Sequence, residues 1–222
     1  MTTGIIIACI LLLLLCNIFG KKIKKPQIRK TLGRVHKILG IIFLIAIFVH
    51  LTLTFPLIKQ RPLPMYILGF IMLFAALTAI ITFCCHKKYP KGWLRLHKIV
   101  AGILFVCVIA HVAIGIYSLK DYQNKVSTIN VQNADLTLVK DGTYTGNCDT
   151  GYVYAKVKVQ VKDSAITSVE ILEHRTERGQ KAEQIPEKIV DEQKITVDTV
   201  SGATNSSKVI EQAVYNALMA SN

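Results

Sequence analysis

The first 118 residues contain no aspartate or glutamate, yet they hold 15 lysines and arginines. These cations sit between long apolar runs, and that pairing leaves few folds open. A soluble surface intersperses both signs of charge, whereas a bundle of bilayer-spanning helices needs only basic loops. Residues 119–222 carry 12 Lys/Arg against 14 Asp/Glu, the balance of an ordinary soluble domain. The net charge of +13 therefore belongs to the first half, where it marks a chain that partners membrane lipid and no nucleic acid.

Four runs carry the apolar half. Residues 4–19 (GIIIACILLLLLCNIF) form a 16-residue run, slightly short for a span, and KKIKKPQIRK follows it with nothing basic before it. That order predicts an uncleaved helix rather than a signal peptide. Runs at 35–57, 65–85 and 96–119 are each long enough to cross the hydrocarbon core. Residues 21–37 hold eight basic side chains and 86–98 hold five, while 58–64 have only Lys59 and Arg61. The excess of Lys/Arg on cytoplasmic loops then predicts four spans with both termini outside and the second half delivered to the outer face. The six cysteines give no disulfide framework, because five lie in apolar runs and Cys148 stands alone in the soluble half.

The second and fourth runs share a pattern. Arg34-Val35-His36-Lys37-Ile38 in one matches Arg95-Leu96-His97-Lys98-Ile99 in the other, and fourteen residues later come His50 and His111. Fourteen residues at about 100° each end roughly 40° short of four full turns, so each pair shares a helix face. A histidine inside an apolar span is costly unless it has a role. Two pairs at one spacing, on helices the topology makes parallel, predict two metal centres with His36 opposite His97 and His50 opposite His111. Haem iron takes two axial imidazoles, and two such irons would lie roughly 21 Å apart along the helices. Zinc suits the pattern poorly, since the four rings lie at two depths without carboxylate or thiolate partners. Gly33, Gly40, Gly102 and Gly115 lie near these histidines, where they serve either a flat macrocycle or close helix packing. His86, beside Lys87 and Lys88, is either solvated or an alternative to His97.

Residues 34–118, with this repeated His-x13-His pair, resemble the four-helix di-haem b-type cytochromes. The resemblance implies two haem b groups, with His36, His97, His50 and His111 as axial ligands of the iron.

Beyond the membrane half, residues 120–140 are polar and of mixed sign and read as a linker. From residue 141 the pattern is that of a small α+β domain. Asp141-Gly142-Thr143-Tyr144 turns into a strand, and residues 152–161 (YVYAKVKVQV) alternate with period two. Asp163-Ser164 is a hairpin turn before a strand at 166–172. A helix at 182–190 is limited by Pro186, a short strand follows at 194–197, and a helix covers 208–218. The expected domains are 1–119, 120–140 and 141–222.

Residues 197–207 (VDTVSGATNSS) place a carboxylate, a tight turn and a hydroxyl just before that last helix. On physical grounds such a turn serves either as a plain N-cap or as an anion site, where backbone N–H groups reach a phosphate. The segment Asp198-Thr199-Val200-Ser201-Gly202-Ala203-Thr204 resembles the flavinylation motif of the FMN-binding domain family. That domain is carried by flavin-bearing subunits of Rnf and sodium-pumping NADH:quinone reductase complexes, and the likeness spans about residues 141–219. It implies FMN joined through a phosphoester to Thr204, with Ser201, Gly202 and Ala203 forming the turn and Asp198 assisting a flavin transferase. His174-Arg175-Thr176-Glu177-Arg178-Gly179 matches in part a family segment near the flavin, and an exposed loop with ion pairs is the reading favoured for it.

Together the resemblances imply a flavocytochrome b in a bacterial cell membrane, an oxidoreductase-type electron carrier with no substrate site of its own that can be named. Electrons would come from a quinol or a cytoplasmic-side donor, cross by two haems, reach an extracytoplasmic FMN and leave to an external acceptor or partner reductase. No GxGxxG fingerprint for NAD is present. Two other readings remain: a non-haem anchor for a flavoprotein subunit of a larger redox complex, and a flavin-binding sensory module.

Overall fold

The computed structural model describes residues 2–87 and 92–220. Lys88 and Lys91 of the expected basic loop lie outside the described residues, as does the C-terminal end of the expected 141–222 domain. The chain divides into two compact units, one of Met1–Ile58 with Leu63–Ile114 and one of Lys59–Pro62 with Gly115–Asn222.

The first unit is helical. Helix α1 is Thr2–Lys22, α2 is Pro26–Thr54, α3 is Leu63–Cys84 and α4 is Trp93–Thr128, which runs on into the second unit. Pro26 begins α2, where its missing N–H costs nothing. Three segments are long and apolar enough to cross a membrane: Pro26–Leu57, Leu63–Cys84 and Trp93–Thr128. The first apolar run is a shorter helical stretch, Gly4–Gly20. Large apolar side chains point outward along all of these helices, among them Ile38, Phe74 and Val106. Such a surface is untenable in water and suits hydrocarbon.

Threonines within the spans turn their hydroxyls back onto their own helix, as Thr54 does to the His50 carbonyl at 2.8 Å and Thr78 to that of Phe74 at 2.8 Å. These two threonine hydroxyls need no water there. Cys9, Phe43, Ile47 and Ala76 form a small core shared by α1, α2 and α3. The Tyr66 hydroxyl donates to the Thr54 carbonyl at 2.8 Å and ties α3 to the end of α2.

The second unit holds an antiparallel meander of β1 (Gly142–Asp149), β2 (Tyr154–Lys162) and β3 (Ala165–Arg175). Asp163 and Ser164 have φ of 52° and 59°, the two positive values of a type I′ hairpin turn. Along β2, Ala155, Val157, Val159 and Val161 are buried while Lys156, Gln160 and Lys162 are exposed, so period two is met in full. Helices α5 (Ile185–Glu192) and α6 (Thr204–Met219) complete the unit. Val209, Ile210, Ala213, Val214, Ala217 and Leu218 of α6 are fully buried in the same core as the β2 valines. Gly146 of β1 makes that approach possible, because a Cβ there would overlap the Ala213 carbonyl and the Ala217 nitrogen.

Three local expectations are corrected. Residues 194–197 are not a strand, because the Asn133 amide oxygen accepts from the N–H groups of Ile195 and Thr196 at 2.8 and 3.0 Å. Residues 120–128 continue α4, and Val139 is buried in the domain core, so the polar stretch is built into the unit. Pro186 opens α5 rather than limiting it, after a 3₁₀ turn over Gln180–Gln184.

Candidate functional site

Thr204 is the first residue of α6 and is exposed. The chain reaches it through a turn closed by the Ala203 N–H donating to the Val200 carbonyl at 2.9 Å. Gly202 has φ of +77°, the left-handed value that glycine adopts without strain, and an added Cβ there would meet nothing within 4 Å. Ser201 and Gly202 are exposed and Ala203 is buried, so the turn rests on one small side chain and offers its other residues to solvent. Asp198 is exposed, and its carbonyl accepts from the Lys188 ammonium of α5 at 3.0 Å. A hydroxyl at the head of a 16-residue helix, after small residues, fits a phosphoester.

Ser207 holds this turn. Its side chain is fully buried, and its hydroxyl accepts from the Val200 N–H and donates to the Ala203 carbonyl, both at 3.1 Å. Ser206 holds a second segment, with its hydroxyl 3.1 Å from that of Thr176. Thr176 in turn accepts from the Gly179 N–H at 3.0 Å. A Cβ on Gly179 would collide with Ser206, so this glycine permits the close approach. The segment 174–179 is thereby fastened to the first turn of α6. Both serines stood inside the motif stretch in the sequence, but a pair of serines after a turn carries no sign of which backbone groups it will meet.

His174 corrects the expectation of an exposed loop. Strand β3 runs to Arg175, and an extra residue at Leu172 shifts the register so that His174 lies opposite the buried Ala155. Bulges re-aim side chains in this way. The His174 side chain is 2% exposed, and its Nδ1 lies 2.9 Å from the Glu183 carboxylate. Its Nε2 is buried without a hydrogen-bond partner. Arg175 does behave as an ion-pairing residue, with Glu173 at 3.2 Å and its guanidinium over the Tyr154 ring at 4.2 Å.

In the first unit the histidines meet in the pairs read from their spacing. The His36 and His97 ring centres are 6.2 Å apart, and those of His50 and His111 are 6.5 Å apart. A metal held by two imidazoles, with bonds of about 2 Å and about 1 Å more from nitrogen to ring centre, separates the centres by about 6 Å. The His97 Nδ1 lies 3.1 Å from the Ala79 carbonyl, which can only accept, so Nδ1 is the donor there and this bond leaves Nε2 unengaged. Added Cβ atoms on Gly33, Gly40 and Gly102 would meet nothing within 4 Å, which leaves the adjoining backbone open. The two ring-centre separations are of the length that a shared metal ion would require. His86 is in neither pair; it stacks on Phe83 at 5.1 Å and lies 5.6 Å from Trp93. Among the described residues no group of three or more His, Cys, Asp or Glu is placed to hold a metal ion.

Residues 151–219 match the family described as the FMN-binding domain. The match covers about a third of the chain, takes in the motif through Thr204, and supports a C-terminal FMN domain and flavin-based electron transfer. No curated protein and no solved structure matches the chain.

Two further groups of the second unit are shifted by burial. Burial pushes the Cys148 thiol up to about 11, helped by the charge of Asp149, so this cysteine stays protonated and inert. Glu211 of α6 is 5% exposed, and burial pushes its carboxyl up to about 7 against the pull of the Val197 N–H, Lys208 and Lys188. Neither shift has a signature in local sequence. The groove between β3 and α5, bordered by Thr167, Pro186 and Asp191, includes none of the motif residues.

Proposed function

We propose that this protein is a membrane electron carrier, with FMN esterified to Thr204 in its C-terminal domain and two b-type haems on the His36–His97 and His50–His111 pairs. The observation that carries the reading is the match to the FMN-binding domain over residues that present Thr204, exposed, at the head of a helix. The ring-centre separations of 6.2 and 6.5 Å support the haem part. FMN and haem supply the electron-transfer chemistry; the protein sets where they are held.

Ser207 and Gly202 shape the turn that offers Thr204 to a flavin transferase, and Asp198 lies exposed on the approach to it. The Ala79 carbonyl orients His97. The first apolar run is a fourth span, and the basic loops lie in the cytoplasm, which delivers the FMN domain to the outer face of a cell membrane. A quinol or a cytoplasmic-side donor and an extracytoplasmic acceptor or reductase complete the path.

The first test is a reduced-minus-oxidised visible spectrum of the detergent-purified chain, with haem and flavin quantified per chain. Two b-type haems and one FMN are expected. FMN without haem would make the helices an anchor and end the haem reading. In Thr204→Ala, covalent flavin fluorescence on a denaturing gel is lost with haem retained; fluorescence that persists would refute the attachment residue.

A further inference from the structure

A chain of contacts within the second unit closes on itself beside Thr204. The Asn205 amide, next to Thr204, donates to the Tyr122 hydroxyl at 2.8 Å. The Tyr122 and Tyr152 rings stand 5.3 Å apart, tilted by 45°. The Arg61 guanidinium lies over the Tyr152 ring at 4.7 Å and pairs with Glu177. Glu177 adjoins Thr176, whose hydroxyl meets that of Ser206, the neighbour of Asn205. The circuit joins α4, the β1–β2 loop, the Lys59–Pro62 segment, the turn after β3 and the first turn of α6.

Two features make the tyrosines stand out. Both are half-buried. Both are also held in place through their hydroxyls, Tyr122 by Asn205 and Tyr152 by Ser118 at 2.9 Å. Paired aromatic rings with tethered hydroxyls form a rigid apolar platform with little rotamer freedom left to lose. Tyr122 lies outside the matched segment 151–219, so the family match does not account for it.

We propose that the Tyr122–Tyr152 pair is the seat of the isoalloxazine ring of an FMN carried on Thr204. This inference rests on the attachment reading above. The ester fixes the phosphate one residue from Asn205, and the ribityl chain lets the ring reach the aromatic pair that Asn205 holds. A tricyclic, electron-poor ring gains most from offset contact with such a platform. Arg61, on Tyr152, keeps that ring from turning away and places a positive charge beside the seat.

The test uses the full chain, loaded with FMN by a flavin transferase and purified in detergent. Flavin emission per covalent flavin is compared before and after denaturation, because a tyrosine in contact quenches the flavin. Tyr122→Leu and Tyr152→Leu are expected to raise native emission severalfold, while Tyr144→Leu, whose hydroxyl donates to the Lys140 carbonyl and takes no part in this circuit, leaves it unchanged. Covalent flavin present in every variant with unchanged emission in both leucine variants overturns the seat and leaves the attachment standing. Absence of covalent flavin from the native chain overturns the attachment instead. Should a leucine variant fail to load, Tyr122→Trp and Tyr152→Trp decide: retained or deeper quenching supports the seat, and emission rising to that of free flavin overturns it.

Discussion

Replacing Ser207 by alanine tests whether this one buried hydroxyl shapes the attachment turn. In the native chain it accepts from the Val200 N–H and donates to the Ala203 carbonyl, both at 3.1 Å. The Ala203 carbonyl keeps a second partner, the Ser207 N–H at 2.9 Å, so the start of α6 survives the change. The Val200 N–H does not keep one through this contact, and its residue is 9% exposed. A buried donor stripped of its acceptor costs about 1–3 kcal/mol. If that cost falls on local opening, the Val200 amide exchanges with solvent about 5- to 150-fold faster in Ser207→Ala. Hydrogen–deuterium exchange on the full chain in detergent reads this directly. Ser206→Ala is the control, since it loosens 176–179 through Thr176 and leaves Val200 protected. Covalent flavin yield falls in Ser207→Ala as the turn loses its shape. Unchanged protection of Val200 in a folded Ser207→Ala chain would refute the reasoning, because the turn would then be held by something other than this hydroxyl.

Glu211 has its carboxyl raised from 4.5 to about 7, so between those values the folded chain binds more protons than the unfolded one, and stability falls as pH rises through that window. Urea midpoints should drop from pH 5 to pH 8 by an amount worth up to about 3 kcal/mol, and Glu211→Gln should abolish the drop. Gly146→Val drives a side chain into the α6 backbone and should lower the thermal midpoint of the C-terminal unit, by about 1–3 kcal/mol or more of stability; an unshifted midpoint would mean β1 can move away. His50→Ala or His111→Ala should each reduce haem from two to one per chain in a pyridine haemochrome assay, and an unchanged count in both would dissolve that pairing.

Residue type alone decided a good deal. A stretch of 118 residues with no carboxylate and long apolar runs has only helices to offer a bilayer, because every backbone polar group must be satisfied within the segment. The alternation of YVYAKVKVQV set the buried and exposed faces of β2, since side chains on a strand alternate by geometry. The His-x13-His repeat put each pair on one face, because its length comes close to four helical turns.

Tertiary structure decided what depends on partners far along the chain. Residues 194–197 have strand-like composition, yet Asn133, some sixty positions earlier, takes their N–H groups and leaves them irregular. His174 is buried because one extra residue at Leu172 changes the register, and no local pattern announces a bulge. Tyr122 belonged to a stretch with the look of a linker, and only the continuation of α4 brings its hydroxyl to Asn205. Local pattern fixes the period of an element and the face it buries. Which distant side chain meets that face is set by how the elements pack, and the surroundings of Thr204 are of that second kind.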